Sequence, residues 1–290
     1  MTNKLRYSKI AAGTMTWGSW GKGLNTTQMI ALMQHCVANG VTTFDHADIY
    51  GDYGNEALFG KAFKESKIAR ESIQVVSKCG IQMTSGRENT VKHYQYDADY
   101  IVYSAERSIK QLNAGYIDLF LLHRPSPLMQ PAEVAAAFAK LKSSGKVKQF
   151  GVSNFTPSQI ALLEKEVKIE ANQVEFSITH LNPMYDGTFD DCIINDRLVM
   201  AWSPLGNYFR EGNEQNKRLK AVLEKLAKKY EVNESMLLLA FIMKHPAQVM
   251  PVVGTATKER ITDSLKAAQI QLDLQDWFLL LEASNGNEAP

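Results

Sequence analysis

Eight short apolar runs, each followed by a segment with helical spacing, repeat along this 290-residue chain. The runs fall at 9–15, 41–45, 72–78, 116–122, 147–152, 171–174, 198–202 and 249–253. Several are nearly continuous in Val, Ile, Leu and Phe, as strands buried on both faces are. Between them Met29, Leu32, Met33 and Cys36 recur at helical spacing, as do Ile101, Ala105, Ile109 and Leu112. Asn25 or Thr26, Asp97, Pro131 and Thr156-Pro157 are placed to start helices, and Asn39-Gly40 and Gly145 to stop them. Helices are expected at 25–37, 55–63, 97–112, 131–143, 156–167, 189–195, 216–230, 234–244 and 258–268, with an extended C-terminal one over 274–282.

A strand that must return parallel to its predecessor needs a crossover, and here a helix supplies it. Eight such units in this length match the α/β class and a closed (β/α)8 TIM barrel. An open doubly wound sheet is the competing arrangement. It would carry a glycine-rich phosphate turn after its first strand, but Gly13, Gly18, Gly21 and Gly23 do not spell G-x-G-x-x-G, and no Walker A run is present. No linker or composition shift divides the chain, so residues 1–290 read as a single domain. Residues 79–96 form the longest βα loop, polar with interspersed aromatics, of the kind that usually carries function.

Other classes fall away on charge and composition. Net charge is +1, from 32 basic and 31 acidic side chains, which gives no electrostatic case for nucleic acid or an anionic membrane. Cys36, Cys79 and Cys192 are far apart and have neither disulfide-framework nor metal-ligand spacing, so no metal is expected and a reducing cytoplasm is. The first residues lack the apolar run of a signal peptide, and the longest apolar run, 236–243, is too short to span a bilayer. No heptad pattern argues for assembly, and the oligomeric state stays open.

In a barrel of this kind, chemistry gathers at the C-terminal strand ends. Asp45 and Tyr50 follow the second strand, Lys78 ends the third and His123 the fourth. Each has an ordinary structural reading as a cap, a packing ring, a surface lysine or a buried histidine. Together they suit one task. A phenol can give its proton to a carbonyl oxygen that gains negative charge. A lysine ammonium stabilises the phenolate left behind, a carboxylate keeps that ammonium charged, and a neutral imidazole orients the carbonyl. No nucleophile signature is present, and hydride from a nicotinamide fills that gap. Ser153, Asn154 and Gln173, at the next two strand ends, carry hydroxyl and amide groups suited to a carboxamide. Trp202 offers a flat face for a ring. After the eighth strand, Gly254-Thr255-Ala256-Thr257 leads to a helix N-terminus suited to a phosphate, with Lys258 and Arg260 beside it.

These segments, in order and spacing, resemble the aldo-keto reductases. They are Gly13-Thr14-Met15, Phe44-Asp45-His46-Ala47-Asp48-Ile49-Tyr50-Gly51, Val76-Ser77-Lys78, Leu121-Leu122-His123-Arg124-Pro125, Gly151-Val152-Ser153-Asn154-Phe155, Trp202-Ser203-Pro204-Leu205-Gly206 and the 254–260 segment. The pairing of the second with the fourth resembles a bacterial subgroup of general oxidoreductases. The resemblance implies an NADP(H)-dependent oxidoreductase that reduces small aldehydes or ketones, with Tyr50 as proton donor and Asp45, Lys78 and His123 completing a tetrad. It implies Ser153, Asn154 and Gln173 as carboxamide ligands and Trp202 as the stacking ring, where the family often has tyrosine. It sets Ser203, Pro204, Leu205 and Gly206 along the pyrophosphate. Gly254, Thr255, Thr257 and Arg260 match the segment near the adenosine 2′-phosphate, and Asp263 falls near the adenine. A lysine common beside that phosphate is Gly254 here, which leaves NADH use open.

Two other functions fit the residues: a cofactor-binding regulatory subunit with incidental redox activity, and an isomerase or lyase using Lys78 as a Schiff-base amine. Trp17, Trp20, Tyr53, Tyr94 and Tyr96 suggest an aromatic pocket wall and apolar or aromatic carbonyls. Residues 207–215 are a candidate lid over the cofactor.

Overall fold

The computed structural model describes residues 7–210 and 212–288; residues 1–6, weighed above for a leader, fall outside that range. The strands are β1 (Ala11–Gly13), β2 (Thr43–Asp45), β3 (Gln74–Cys79), β4 (Ile81–Gln82), β5 (His93–Tyr94), β6 (Ile117–Leu122), β7 (Val147–Ser153), β8 (Ala171–Glu175), β9 (Leu198–Trp202) and β10 (Met250–Val253). The helices are α1 (Thr26–Ala38), α2 (Asn55–Ser66), α3 (Ala98–Gln111), α4 (Pro131–Ser143), α5 (Pro157–Leu163), α6 (Thr188–Ile194), α7 (Glu214–Tyr230), α8 (Glu234–Met243), α9 (Lys258–Ala267) and α10 (Leu274–Asn285).

Eight parallel strands close in the order β1-β10-β9-β8-β7-β6-β3-β2. β1 pairs with β2 on one side and β10 on the other, so the sheet has no free edge, which settles the barrel against the open sheet. β4 and β5 pair antiparallel, so the long loop after β3 carries a small hairpin of its own. Two barrel strands are shorter than their apolar runs. The Val41 N–H is taken by the Cys36 carbonyl at the end of α1, and Trp17 turns back to bond the Thr14 carbonyl. α5 stops at Leu163, where Glu166 and Val167 both fold back onto that residue's carbonyl. No helix among the described residues is long and apolar enough to cross a membrane.

Strand alternation sorts the barrel interior into layers. Ala11, Val76, Leu119, Leu121, Ala171, Leu198, Met200, Met250 and Val252 form one buried apolar cluster, with Tyr7 packed against it. Two residues further along the same faces the side chains turn polar: Lys78 beyond Val76, His123 beyond Leu121, Gln173 beyond Ala171 and Trp202 beyond Met200. The last interior rung is therefore a ring of functional groups seated on an apolar floor.

Below the strands' N-terminal ends, Arg197 is buried and ties three segments together. It bonds both Glu164 oxygens at 2.6 Å, Asp191 Oδ2 at 2.9 Å and the Ile169 carbonyl. Removing one partner of a buried ion network strands the others. Arg197→Met is expected to lower unfolding stability by about 3 kcal/mol, read from urea midpoints at fixed m-value; a change near zero would show that the network is energetically idle.

Candidate active site

The Lys78 ammonium lies at the centre of the polar rung. Asp45 is in register with Val76, and Lys78 follows two residues later on the same face. Its Nζ donates to Asp45 Oδ1 and Oδ2 at 2.8 and 2.9 Å, to the His46 carbonyl at 2.8 Å and to Tyr50 Oη at 3.3 Å. Lys78 is fully buried. Burial opposes its charge, but Asp45 and Tyr50 outweigh that and raise its pKa. All three N–H groups are engaged and the nitrogen stays protonated, so it has no lone pair for a Schiff base. Asp45 Oδ1 also accepts from Gln173 Nε2 at 3.0 Å, and the Asp45 carbonyl accepts from both the N–H and the hydroxyl of Thr14.

Tyr50 sits at the rim, in a turn that needs left-handed backbone at Gly51, Asp52 and Tyr53. Burial raises its phenol pKa and Lys78 only partly offsets this, so it holds its proton at neutral pH. The His123 ring lies 6.2 Å from the Tyr50 ring at 78°. Burial, then the charges of Lys78, Arg124 and Lys92, hold His123 well below its usual pKa, so it is a neutral imidazole. Its Nδ1 is buried without a hydrogen-bond partner among the described residues. A proton-bearing phenol, a fixed ammonium and a neutral imidazole thus share one mouth, as required to polarise and protonate a carbonyl oxygen.

The remaining sequence-named residues line the next strand ends. Ser153 is in register with Gln173, and its hydroxyl donates to the Gln173 carbonyl at 2.9 Å. Asn154 has φ +63°; it donates Nδ2 to Ser153 Oγ at 2.8 Å and accepts Trp202 Nε1 on Oδ1 at 2.9 Å. Ser203 also has positive φ, and Gly206 closes its turn where a Cβ would meet Thr179 Oγ1 at 2.0 Å. Such backbone strain, after β7 and again after β9, is of the kind found at ligand sites. Pro204 is buried and Leu205 half-buried in this turn. Gly13 lies within β1, Thr14 is consumed by its bonds to Asp45 and His46, and Met15 is exposed at the rim. Gly254 stands in open space, and its carbonyl accepts from Thr16 at 2.6 Å. Thr257 caps α9 without a side-chain bond among the described residues; residues 257–260 are exposed, while Thr255 and Ala256 are half-buried. Asp263 is turned aside to Asn233 Nδ2 at 3.0 Å, in a surface groove shared with Ala227, Val232 and Met236. Among the described residues no cluster of three metal-ligating side chains occurs.

Three of the five aromatics expected in the pocket wall are core residues instead. Trp17 bonds the Thr255 carbonyl, Tyr53 the Ile81 carbonyl and Tyr96 the Arg124 carbonyl, so each ring is held inward by its polar tip. Trp20 does reach the mouth, 6.2 Å from the Tyr50 ring, and Tyr94 is exposed on the hairpin. In the proposed lid Tyr208 is buried and bonded to Glu234, Phe209 is exposed, and Glu211 lies outside the described residues.

A second polar layer behind the tetrad went unread in the sequence. His46, Asp48 and Glu56 are all buried. Glu56 accepts from Ser77 at 2.6 Å, Asp48 Oδ2 accepts from Ser104 at 3.0 Å, and the Asp48 N–H donates to the Lys78 carbonyl. Burial, then the charge of Glu56, pushes Asp48 up to about 7; burial, then Lys78, pushes His46 down to about 3. His46 Nδ1 bonds Thr14 Oγ1, whose hydrogen goes to the Asp45 carbonyl, which makes Nδ1 the protonated nitrogen. The signal was present in His46-Ala47-Asp48, but residues next to a strand-end aspartate do not announce their burial.

This arrangement has known counterparts. Residues 9–284 match the model of the Aldo/keto reductase family, and the chain belongs to that family. It is 38% identical to the uncharacterized oxidoreductase YcsN of Bacillus subtilis, over 100% of this chain and 98% of that one. It is 35% identical to a 6-dehydroglucose reductase of Agrobacterium fabrum, over 99% of this chain and 98% of that protein. The fold also matches an aldo/keto reductase from Klebsiella pneumoniae solved with NADP and acetate, at TM-score 0.78 and 24% identity, covering 98% of this chain and 93% of that one. The protein is thus an oxidoreductase of the aldo/keto reductase type.

The buried Asp48 gives a test of the second layer. Its pKa is raised on folding, so the folded state binds its proton more tightly than the unfolded chain does. Stability from this group is full below about pH 4, where the unfolded carboxyl titrates, and is lost as pH rises through about 7. Asp48→Asn should therefore gain on wild type between about pH 5 and about pH 8, by on the order of 1–3 kcal/mol. Parallel urea titrations at the two pH values check this; an offset independent of pH would contradict it.

Proposed function

We propose that this protein reduces small aldehydes or ketones to alcohols with NADP(H), using Tyr50 as proton donor. The observation that carries this reading is the 3.3 Å contact from Tyr50 Oη to a Lys78 ammonium locked by Asp45. The carbonyl oxygen of the substrate sits between the phenol and the His123 imidazole. As negative charge develops there, Tyr50 delivers its proton, and Lys78 stabilises the phenolate that remains. His123, neutral through burial, has an N–H to donate to the same oxygen and orients it. Asp45 keeps Lys78 charged, and Gln173 fixes Asp45 in turn.

NADPH, when bound, supplies the hydride that completes the conversion of C=O to CH–OH. The donor set fits such a group at both ends. Asn154 has an amide N–H to spare beyond its bond to Ser153, suited to a carboxamide oxygen, and its bond to Trp202 fixes the indole as a stacking face. At the other end, the uncapped start of α9 and the Arg260 guanidinium, exposed and without a bond among the described residues, suit phosphate oxygens. Thr255 and Thr257 flank that position, and the groove beside Asp263 suits an adenine. Gln173 spends an amide N–H on Asp45, so its part in holding the carboxamide falls to its other groups. The absence of a side chain at Gly254 is not forced by packing, so phosphate selectivity rests on Arg260. The NADP-bound Klebsiella neighbour and the Agrobacterium relative's name support the cofactor and an aldehyde as the reducible group.

Tyr50→Phe should lower kcat for aldehyde reduction by about 100-fold or more while fluorescence titration still detects NADPH binding. Wild-type kcat should stay level through neutral pH and fall only on the alkaline side, because burial raises the donor's pKa. Unimpaired turnover in the variant would remove Tyr50 from its role, and failure to bind either nicotinamide cofactor would remove the cofactor reading. Arg260→Ala should weaken NADPH by about tenfold with little change for NADH; equal losses would assign Arg260 to a group the two cofactors share.

A further inference from the structure

Arg124 is the one half-buried arginine whose guanidinium the fold leaves without a hydrogen bond or ion pair among the described residues. It follows His123 at the end of β6, and its main chain is clamped: its N–H donates to Tyr96 Oη at 3.1 Å, and Tyr96 donates back to its carbonyl at 2.6 Å. The guanidinium leans over the site, 5.5 Å from the centroid of the Trp202 ring. Its charge reaches both Tyr50 and His123. Yet it makes no hydrogen bond or ion pair within the described chain. Every other described arginine with comparable burial is bonded: Arg70 to Asp118 and three carbonyls, Arg87 to Gln82, Arg107 to the Tyr53 carbonyl, and Arg197 to Glu164 and Asp191.

Arg124 is not the only exposed-side cation that bears on this mouth. Lys92, on the hairpin loop, also bears on His123. Asp45 is neutralised by Lys78. Asp52, a rim carboxylate in the Tyr50 turn, is occupied on both oxygens, by Trp20 Nε1 at 3.1 Å and Ser85 Oγ at 2.7 Å. Glu175, half-buried at the end of β8 in register with Trp202, makes no ion pair with Arg124 among the described residues. A partly desolvated guanidinium with free donors, next in sequence to His123 and over the Trp202 ring, is an incomplete recognition site, and what completes it is an oxyanion with two acceptor oxygens.

We propose that Arg124 is the substrate's anion receptor, so that the preferred carbonyl compounds carry a carboxylate or phosphate a short reach from the reducible carbon. This rests on the reductase reading and names the substrate class of that site. The receptor lies beside the tetrad and outside it: Arg124 binds the charged end, Tyr50 and His123 take the carbonyl oxygen, and Lys92 steers the anion inward. The polarity of this wall replaces the apolar specificity that the aromatic residues suggested, since three of those rings face the core.

The test uses matched aldehydes and the full-length protein with NADPH. Wild type should reduce 4-carboxybenzaldehyde with kcat/KM at least about tenfold above its neutral methyl ester. The advantage should sit in KM and shrink as salt is raised. Arg124→Gln should collapse the ratio to about one, and Arg124→Lys should restore part of it. Glyceraldehyde 3-phosphate against glyceraldehyde, run the same way, separates phosphate from carboxylate recognition. Equal kcat/KM for charged and neutral partners in wild type overturns the proposal. So does a variant that slows both aldehydes alike, or one whose main defect is NADPH affinity. If wild type turns over neither aldehyde, the reductase reading is what fails. Calorimetric titration of benzoate against benzamide then decides the receptor by itself: benzoate binding lost in Arg124→Gln upholds it, and no benzoate preference removes it.

Discussion

The buried ion pair between Lys78 and Asp45 is the constraint to which the rest of the site answers. Removing two charges from water costs more than their mutual attraction returns unless their remaining hydrogen-bonding capacity is filled. Here it is filled. The ammonium has Asp45, the His46 carbonyl and Tyr50, while the carboxylate has Lys78 and the Gln173 amide. The pair fixes one donor on the Tyr50 oxygen, and that contact makes the phenol chemically useful. Loss of either charge would leave the other uncompensated in the barrel mouth.

Strand alternation makes such a pair affordable to the fold. The interior residues one rung lower are Val76, Leu121, Ala171 and Met200, a dry floor that excludes water from beneath the charges. The walls behind are polar but closed. Asp48 and Glu56 are held by Ser104 and Ser77, and burial pushes the Asp48 carboxyl towards its neutral form, which limits the negative charge near Lys78. The active site is therefore a layer of charge between an apolar floor and an open mouth. Its geometry is stiffened by left-handed backbone at Asn154 and Ser203.

Two further cations act on that mouth. Arg124 and Lys92 both depress the pKa of His123, after burial and Lys78, and so help to keep the imidazole neutral while they shape the approach to Tyr50. In the proposed reaction, the residues that tune Tyr50 and His123 are the same ones that would meet an incoming anion. Trp202, bonded to Asn154 beneath Arg124, joins this side of the site to the strand ends that suit the cofactor.

The eightfold strand-helix alternation was legible from the sequence because burial on both faces demands apolar strands and a helix must carry each parallel return. That Asp45, Tyr50, Lys78 and His123 come together at one mouth was legible because parallel strands in a barrel all deliver their C-terminal ends, and the turns beyond them, to the same side. Strand limits at β1 and β2, the hairpin inside 79–96 and the core placement of Trp17, Tyr53 and Tyr96 were not. Each depends on hydrogen bonds to residues distant in sequence, such as Trp17 to Thr255. The same holds for the burial of Asp48 and Glu56 and for the unpaired state of Arg124. Local pattern determined the order of elements and the identity of the groups at their ends. Barrel closure alone decided which of those groups lose water, which find a partner and which are left facing the mouth, because desolvation and pairing are properties of neighbours that the chain brings together only on folding.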